Sequence, residues 1–299
     1  MRKGFTLTEL IFVLVVMAIL SAGTFKAIEA IYTRTAQAKA LTNLSLQSQI
    51  VLDQLSILLY NRIPNSVIGY DRTDGVCEPI DNLTVARPIL EWIAMADDEL
   101  LQRRYDGFVD MNGSFYNSTI DNRLLTPQNA MTVSTNLNLI FAGAFDGGAD
   151  DISACSGAYG WHGASSGLSF DFSFLADGNI TLTDSVKPVF IYEKYYLAKT
   201  AYAVARGADV DLTAACISDL NTSVNANTLF LFYDYYPYAN PSQTFCADGG
   251  TGKATILAKD VSAFSAESVN DIIRLSIDMR QDVRGKTCGV HVSKQKGVF

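Results

Sequence analysis

The sequence is poor in the residues from which common catalytic and metal sites are built. Its 299 residues include only two histidines, His162 and His291. It has no C-x-x-C pair, which counts against zinc sites and thioredoxin-type redox centres. A nucleophilic site would have to use one of the two histidines, and His162 lies in a Gly/Ser-rich stretch typical of a loop. We therefore expect a protein that is not an enzyme and needs no cofactor.

Positive charge is also scarce. The 23 Lys and Arg residues are outnumbered by 31 Asp and Glu residues, which gives a net charge of −8. An acidic body argues against direct binding of nucleic acid, whose backbone attracts basic surfaces. Hydrophobic residues make up 48% of the chain, so the composition excludes a disordered polar protein and supports a well-buried core.

The number of cysteines is odd, so one cysteine is either a free thiol or part of an intermolecular bridge. If the body is exported, disulfides are allowed. Connectivity does not follow from one sequence. We favour a bridge between Cys216 and Cys246, because both flank one strand-rich stretch. The five cysteines are Cys77, Cys155, Cys216, Cys246 and Cys288.

Proline and glycine are missing from a long N-terminal stretch. No proline precedes Pro64, and no glycine falls between Gly23 and Gly69. The uncharged run "LIFVLVVMAILSAGTF" ends at Phe25, and apolar residues then recur at three-to-four-residue steps. This pattern predicts one helix over residues 5–60, about 80 Å long at 1.5 Å per residue. Its first 21 residues match a bilayer core of about 30 Å, and the cations Arg2 and Lys3 before it favour a cytoplasmic N-terminus.

The segment "KGFTLTEL", followed by an apolar run and a long amphipathic helix, resembles the N-terminus of type IV pilins and the related pseudopilins of type II secretion systems. The resemblance implies cleavage after Gly4 by a prepilin peptidase and N-methylation of the new first residue, Phe5. It also maps the family's assembly glutamate onto Glu9. Thr8 stands where the family usually has an aliphatic residue.

An acidic side chain in a membrane helix suggests a functional role, because its insertion costs roughly 2.5–3.5 kcal/mol at positions near the bilayer centre. The helix dipole offsets part of that cost. We expect the free amine of Phe5 on a neighbouring subunit to offset more, so that Glu9 sets the register of helices in a filament. The alternative is that Glu9 reaches the lipid head groups and has no specific role.

The domain plan follows from these patterns. We expect a leader at 1–4, a membrane-embedded helix at 5–25, an amphipathic helix at 26–62 and an exported globular body at 63–299. The body changes to short strand-like runs separated by turns. "LSFDFSFLADGNITLTD" predicts a hairpin around Asp177-Gly178, whereas "PILEWIAMADDELLQRRY" favours a helix. The predicted class is α+β, with the long helix packed on a mainly antiparallel sheet.

The C-terminal order resembles the larger minor pseudopilins of the J type and PilW-like minor pilins. In this sequence a Tyr-rich strand and "ILAKDVSAFSA" precede the alternating "IIRLSIDMR". The resemblance implies a minor subunit near a filament tip, with other pilin subunits, prepilin peptidase and an inner-membrane assembly platform as partners. It implies a single pass in the bacterial inner membrane and a periplasmic body. The alternative is a single-span adhesin or receptor that does not polymerise.

Two further stretches carry weaker hypotheses. "FDGGADDIS" places Asp146, Asp150 and Asp151 around glycines, which is a calcium candidate or a solvated turn. The aromatic run "FLFYDYYPYANP" predicts core packing, with some rings at a subunit interface.

Overall fold

A computed structural model describes residues 6–80, 83, 86–112, 115–117, 121–124, 137–141, 159–163, 167, 169–175, 179–183, 191–239, 241–269, 272–282 and 289–299, with only the backbone of 115–117 and 121–124. It begins with one helix, α1 (Leu7–Tyr60). The helix is uninterrupted because no proline removes a backbone donor within it. It ends at Asn61, where the Arg62 side chain donates to the Leu59 carbonyl at 2.8 Å.

The body is built mainly from antiparallel strands, which confirms the predicted α+β class. The described strands are β1 (Ile68–Asp71), β2 (Val76–Pro79), β3 (Ile89–Met95), β4 (Phe115–Asn117), β5 (Asp121–Leu124), β6 (Asn138–Phe141), β7 (Ser169–Phe170), β8 (Phe172–Phe174), β9 (Ile180–Leu182), β10 (Tyr195–Arg206), β11 (Leu229–Tyr235), β12 (Lys253–Ala258), β13 (Val261–Val269), β14 (Ile272–Gln281) and β15 (Val290–Val298). Two short helices, α2 (Asp97–Leu101) and α3 (Ala215–Ser218), complete the described regular elements together with 3₁₀ turns.

Within the described ranges these strands form three sheets. The main sheet has the order β12-β11-β10-β3-β1-β2, and β6 and β7 extend it beside β10. A second sheet has the order β13-β14-β15, and a third has the order β4-β5-β9-β8. The pairings between neighbouring strands are antiparallel. The strands β8 and β9 pair with Phe174 opposite Ile180, as the hairpin prediction required.

The second half of α1 lies between the body's sheets. Its buried residues, such as Leu44, Leu55 and Leu59, share a core with Trp92 of the main sheet and Leu275 of β14. Another core cluster forms around Phe230, Phe232 and Tyr235 of β11. The long helix is therefore an integral part of the body over this half.

The helix predicted in "PILEWIAMADDELLQRRY" is wrong for its first half. Residues Ile89–Met95 form β3, and only Asp97–Leu101 are helical. β3 lies between β1 and β10, and six of its seven residues are buried. Burial on both faces produces a continuous apolar run that periodicity cannot separate from a helix.

The stretch "KATILAKDVSAFSA" contributes to two strands, β12 and β13. The chain turns between them at Lys259-Asp260, where Asp260 adopts a positive φ of 63°. Asp tolerates this left-handed conformation better than most residues. The turn places the two strands in different sheets.

Candidate assembly site

The first turn of α1 holds Glu9 in a local hydrogen-bonding arrangement. The Thr6 backbone N–H and the Thr6 hydroxyl both donate to Oε2 of Glu9, at 3.1 and 3.0 Å. Thr6 occupies the N-cap position, so this contact satisfies a backbone donor that the helix leaves unpaired. The carboxylate also lies at the positive end of the helix dipole. The acid is thus held at the helix start by neutral donors of its own chain.

The membrane-length half of α1 is exposed on all sides. In the described part of the chain, α1 is the one helix long and apolar enough to cross a membrane, and the apolar window within it has no buried residues. Phe12 and Phe25, for example, are more than two-thirds exposed. An apolar helix of this length with no protein covering it is suited to lipid or to other helices. The chain is a single-pass, membrane-anchored protein.

The second half of α1 has two apolar faces. One is the core stripe that packs on the body: Ala40, Leu44, Ser48, Val51, Leu52, Leu55 and Leu59. The other is an exposed ridge of Leu46, Ile50, Ile57 and Tyr60, which are 60, 47, 67 and 73% exposed. Ile57 follows Leu55 by two residues and so lies about 200° around the helix from it. The ridge therefore faces away from the body.

The amphipathic stripe inferred from the sequence merged these two faces. Of the apolar residues that recur at three-to-four-residue steps after Phe25, Leu44, Leu55 and Leu59 are buried, whereas Ile28, Ile31, Leu41 and Ile50 are exposed. Steps of three and four residues occur along both faces, so spacing alone could not separate them. The correction leaves an apolar surface on α1 that the body does not cover.

Two lysines of β15 fix α1 against the body. Lys294 Nζ donates to the Ser45 carbonyl at 2.7 Å, and Lys296 Nζ contacts Asp53 Oδ1 at 2.6 Å. The hydrogen bond from Lys296 lowers the pKa of Asp53. By the same helix geometry, Asp53 lies within about 60° of Ile50 and Ile57, so the contact from Lys296 reaches the ridge face of α1.

Several residues singled out from the sequence lie outside the described residues. They are the cleavage residues Gly4 and Phe5 and the calcium candidates Asp146, Asp150 and Asp151. Their roles remain predictions. Within the described ranges, no group of three or more His, Cys, Asp or Glu side chains is arranged to hold a metal ion.

The structure locates three cysteines of the body and several rings of the aromatic run. A disulfide joins Cys216 to Cys246, the pair that the sequence analysis favoured. Cys77 is also disulfide-bonded. The rings of Phe230, Phe232, Tyr235 and Tyr238 from the aromatic run are buried.

The two histidines have opposite environments. His162 is mostly buried and lies 2.8 Å from Glu91, whereas His291 is about half exposed on β15. The buried acid Glu91 was missed from the sequence because its partner is 71 residues away. Thr6 was missed too, although the pattern Thr-x-x-Glu before an apolar run is a known helix-start signal.

Comparison with known proteins locates one recognisable segment. Residues 1–25 match a family model described as the prokaryotic N-terminal methylation motif. No curated protein and no solved structure matches the chain. The matched segment contains Glu9, its partner Thr6 and the start of the exposed apolar helix.

Proposed function

From the premise that the N-terminal methylation motif makes this chain a member of the type IV pilin and pseudopilin family, we propose that it is a minor subunit that assembles at or near the tip of a filament. The filament is a type IV pilus or a type II secretion pseudopilus. In this proposal the prepilin peptidase cuts after Gly4, and Phe5 is N-methylated. The body lies in the periplasm, and an inner-membrane platform draws the subunit into the filament. The subunit works by packing and not by catalysis.

The observation that carries the proposal is the position of Glu9 at the start of a fully exposed apolar helix. Thr6 supplies two hydrogen bonds but no opposite charge. A carboxylate in hydrocarbon stays costly without a cation. The amine created on Phe5 of a neighbouring subunit would provide one at the same depth in the membrane, which selects a single axial register.

The exposed ridge supports the same proposal from the other half of α1. Leu46, Ile50, Ile57 and Tyr60 lie on the face of α1 opposite the core stripe, with Asp53 between Ile50 and Ile57. Apolar surface of this kind on an exported domain marks an interaction surface. Packing of neighbouring helices along the ridge would remove it from water, so the membrane half and the exported half of α1 would both contribute to assembly.

The length of the body and its ending in the sheet β13-β14-β15 are the basis for choosing a larger minor subunit of the J type or PilW type. A position at the filament end would also leave room for a large body, while other subunits pack against the helix. The body would then cap the filament end or contact cargo. Calcium at Asp146, Asp150 and Asp151 is not required by this account.

The test compares two acids on one helix. We expect Glu9→Ala to insert in the membrane normally but to lose incorporation into filaments, because the register charge is gone. The matched control is Glu29→Ala, which removes an acid from α1 outside the membrane segment and should retain incorporation. The readout is crosslinking between cysteines introduced on the ridge and neighbouring subunits. Normal crosslinking of Glu9→Ala would refute the register role, and an intact Met1 in the native protein would favour the non-polymerising adhesin.

A further inference from the structure

The sheet β13-β14-β15 ends in a long strand with one open edge. In the described ranges, no strand pairs with the outer side of β15. Its inner side pairs with β14 in regular register, from Gln281 opposite Val290 to Ile273 opposite Val298, without a bulge. An edge strand offers a row of backbone donors and acceptors to another chain, and folded proteins normally shield such edges.

The other edges in the described part of the chain are short or shielded. Ala266 of β13 forms a bridge with Arg87 on its outer side. The Arg206 side chain donates to the Ser262 carbonyl of the same strand at 2.7 Å. At the end of the main sheet, α3 packs against β12, and β2 has only four residues. The outer edge of β15 is therefore the best suited to receive an added strand.

The register shows which backbone groups of β15 point outward. Arg280 N–H of β14 donates to the Asp260 carbonyl at 2.8 Å, on the β13 side of the sheet. Because backbone groups alternate sides along a strand, the odd-numbered residues of β14 point theirs toward β15. Their partners are the even-numbered residues of β15. The N–H and C=O groups that point away from the sheet therefore belong to His291, Ser293, Gln295 and Gly297.

The outward-pointing residues lack the usual protection of an edge. They are exposed, and none of them is Lys, Asp, Glu or Pro. The two cations of β15, Lys294 and Lys296, turn instead to α1. Lys294 Nζ bonds the Ser45 carbonyl and Gln49 Oε1, which are neutral acceptors. Its charge can therefore still attract an acid on an added strand, since opposite charges on neighbouring strands stabilise a sheet.

The open edge lies beside the ridge of α1. Asp53 is between Ile50 and Ile57 on the ridge face, and Lys296 of β15 contacts it at 2.6 Å. A subunit that packs its helix on the ridge would bring its own exported body next to β15. The ridge and the edge are thus parts of one continuous surface.

We propose that the outer edge of β15 binds an extended segment of a different, neighbouring subunit. The segment adds to the sheet as a strand antiparallel to β15 and places an acid opposite Lys294. Main-chain hydrogen bonds to the outward groups supply the contact, as in other cases of strand addition. The antiparallel direction continues the pattern of this sheet. The inference rests on the proposed function, because it takes the partner to be a neighbour in the filament.

The direction of β15 excludes a second copy of the same strand as the partner. Lys294 lies beside Ser45, and the Phe299 carbonyl after β15 accepts from Arg62 at 3.4 Å, so β15 and α1 run the same way. Antiparallel pairing of β15 with β15 of a second copy would turn the two α1 helices in opposite directions. Two helices anchored in one membrane with the same orientation do not allow this pairing.

Amide hydrogen exchange tests the edge in the native full chain. The assembled form in membranes is compared with the detergent-extracted subunit. We expect exchange at the outward amides of β15 to slow by about tenfold or more on assembly, because they acquire acceptors. The matched region is β13, whose edge is already shielded and whose exchange should not change. Ridge crosslinks with unchanged exchange in β15 would overturn the inference alone, whereas absent ridge crosslinks would refute assembly and the inference with it.

A proline substitution tests the same edge by removing one donor. The Ser293 N–H points away from β14, so Ser293→Pro leaves the bonds between β14 and β15 in place, and proline is tolerated at such edge positions. We expect this variant to lose the slowed exchange in β15 while it keeps its ridge crosslinks. The matched control is Ser293→Thr, which retains the donor. Equal protection in the two variants would contradict the proposal. If Ser293→Pro does not fold, the comparison on the native chain decides.

The identity and direction of the partner are tested with a photoreactive benzophenone residue placed at His291 or at Gln295. Mass spectrometry of the crosslinked peptides locates the captured residues. We expect one segment of a different subunit, in which the residue captured from Gln295 precedes the one captured from His291, with an acid opposite Lys294. The reverse order, a segment without that acid, or capture of β15 from a second copy would overturn the proposal.

Discussion

The molecule holds two acids in apolar surroundings, and their partners differ. In the body, Glu91 is neutralised within the chain by His162 and hydrogen-bonded by Tyr235. On the exposed half of α1, the described hydrogen bonds of Glu9 come from the neutral groups of Thr6. The charge of a buried acid with its own cation is compensated within the fold, whereas an acid with neutral donors can still attract a cation from another chain. The comparison supports a structural role for Glu91 in the body and agrees with the proposed role of Glu9 in assembly.

The largest expected effect comes from preventing formation of the Phe5 amine, the cation proposed to pair with Glu9 of a neighbouring subunit. Gly4→Leu should block removal of the leader, so that no amine forms on Phe5 and incorporation is lost completely. The measurement is the mass of the membrane form together with crosslinking to neighbours. Gly23→Leu is the matched control for leader removal, because a side chain at Gly23 meets nothing within 4 Å in the chain and lies away from the cut. Normal maturation of Gly4→Leu would remove the peptidase assignment.

The second prediction concerns Glu91, the buried acid of the body. Glu91→Ala removes the closer of the two acids that face the buried His162, and breaking a buried pair costs about 3–5 kcal/mol. We expect a loss of that size in the free energy of unfolding, measured by denaturant titration. The comparison variant is Glu267→Ala, which removes a half-exposed acid paired with Arg274 and should cost less than about 1 kcal/mol. Similar losses for the two variants would show that the cluster is not a special support of the body.

The same cluster predicts a pH dependence. His162 titrates near 6.5 when unfolded and at about 9 when folded, so its stabilisation is complete below pH 6.5 and lost as pH rises through 9. The groups facing it are Glu91, Asp248 and Tyr70, with Arg72 behind Asp248. We expect the free energy of unfolding to fall between pH 6.5 and 9 more steeply in the native protein than in His162→Gln. Parallel curves would exclude a charged His162.

The smallest effect lies at the surface between α1 and β15. Lys296→Ala removes a partly exposed contact with Asp53, and such pairs contribute about 0–1 kcal/mol. We expect little change in unfolding but a measurable change in crosslinks along the ridge, because Asp53 lies on the ridge face and loses its partner. A loss of several kcal/mol would mean that this contact belongs to the core.

The sequence specified local features well and distant pairings poorly. The length of α1 followed from missing Pro and Gly, and Glu9 from the motif around it. The strand β3 was mistaken for helix because its apolar run is buried on both faces. The cluster of Glu91 and His162 needs residues 71 positions apart to meet, and the two faces of α1 needed the body in place. Local chemistry could be inferred from one chain, whereas partners across the fold could not.

Mass spectrometry of the mature N-terminus of native protein tests the central claim most directly. The account predicts a chain that begins with N-methylated Phe5, because Glu9 requires an amine at that position of its neighbour. A chain that retains Met1, or one that begins near Gly23, would lack that amine and contradict the proposed assembly.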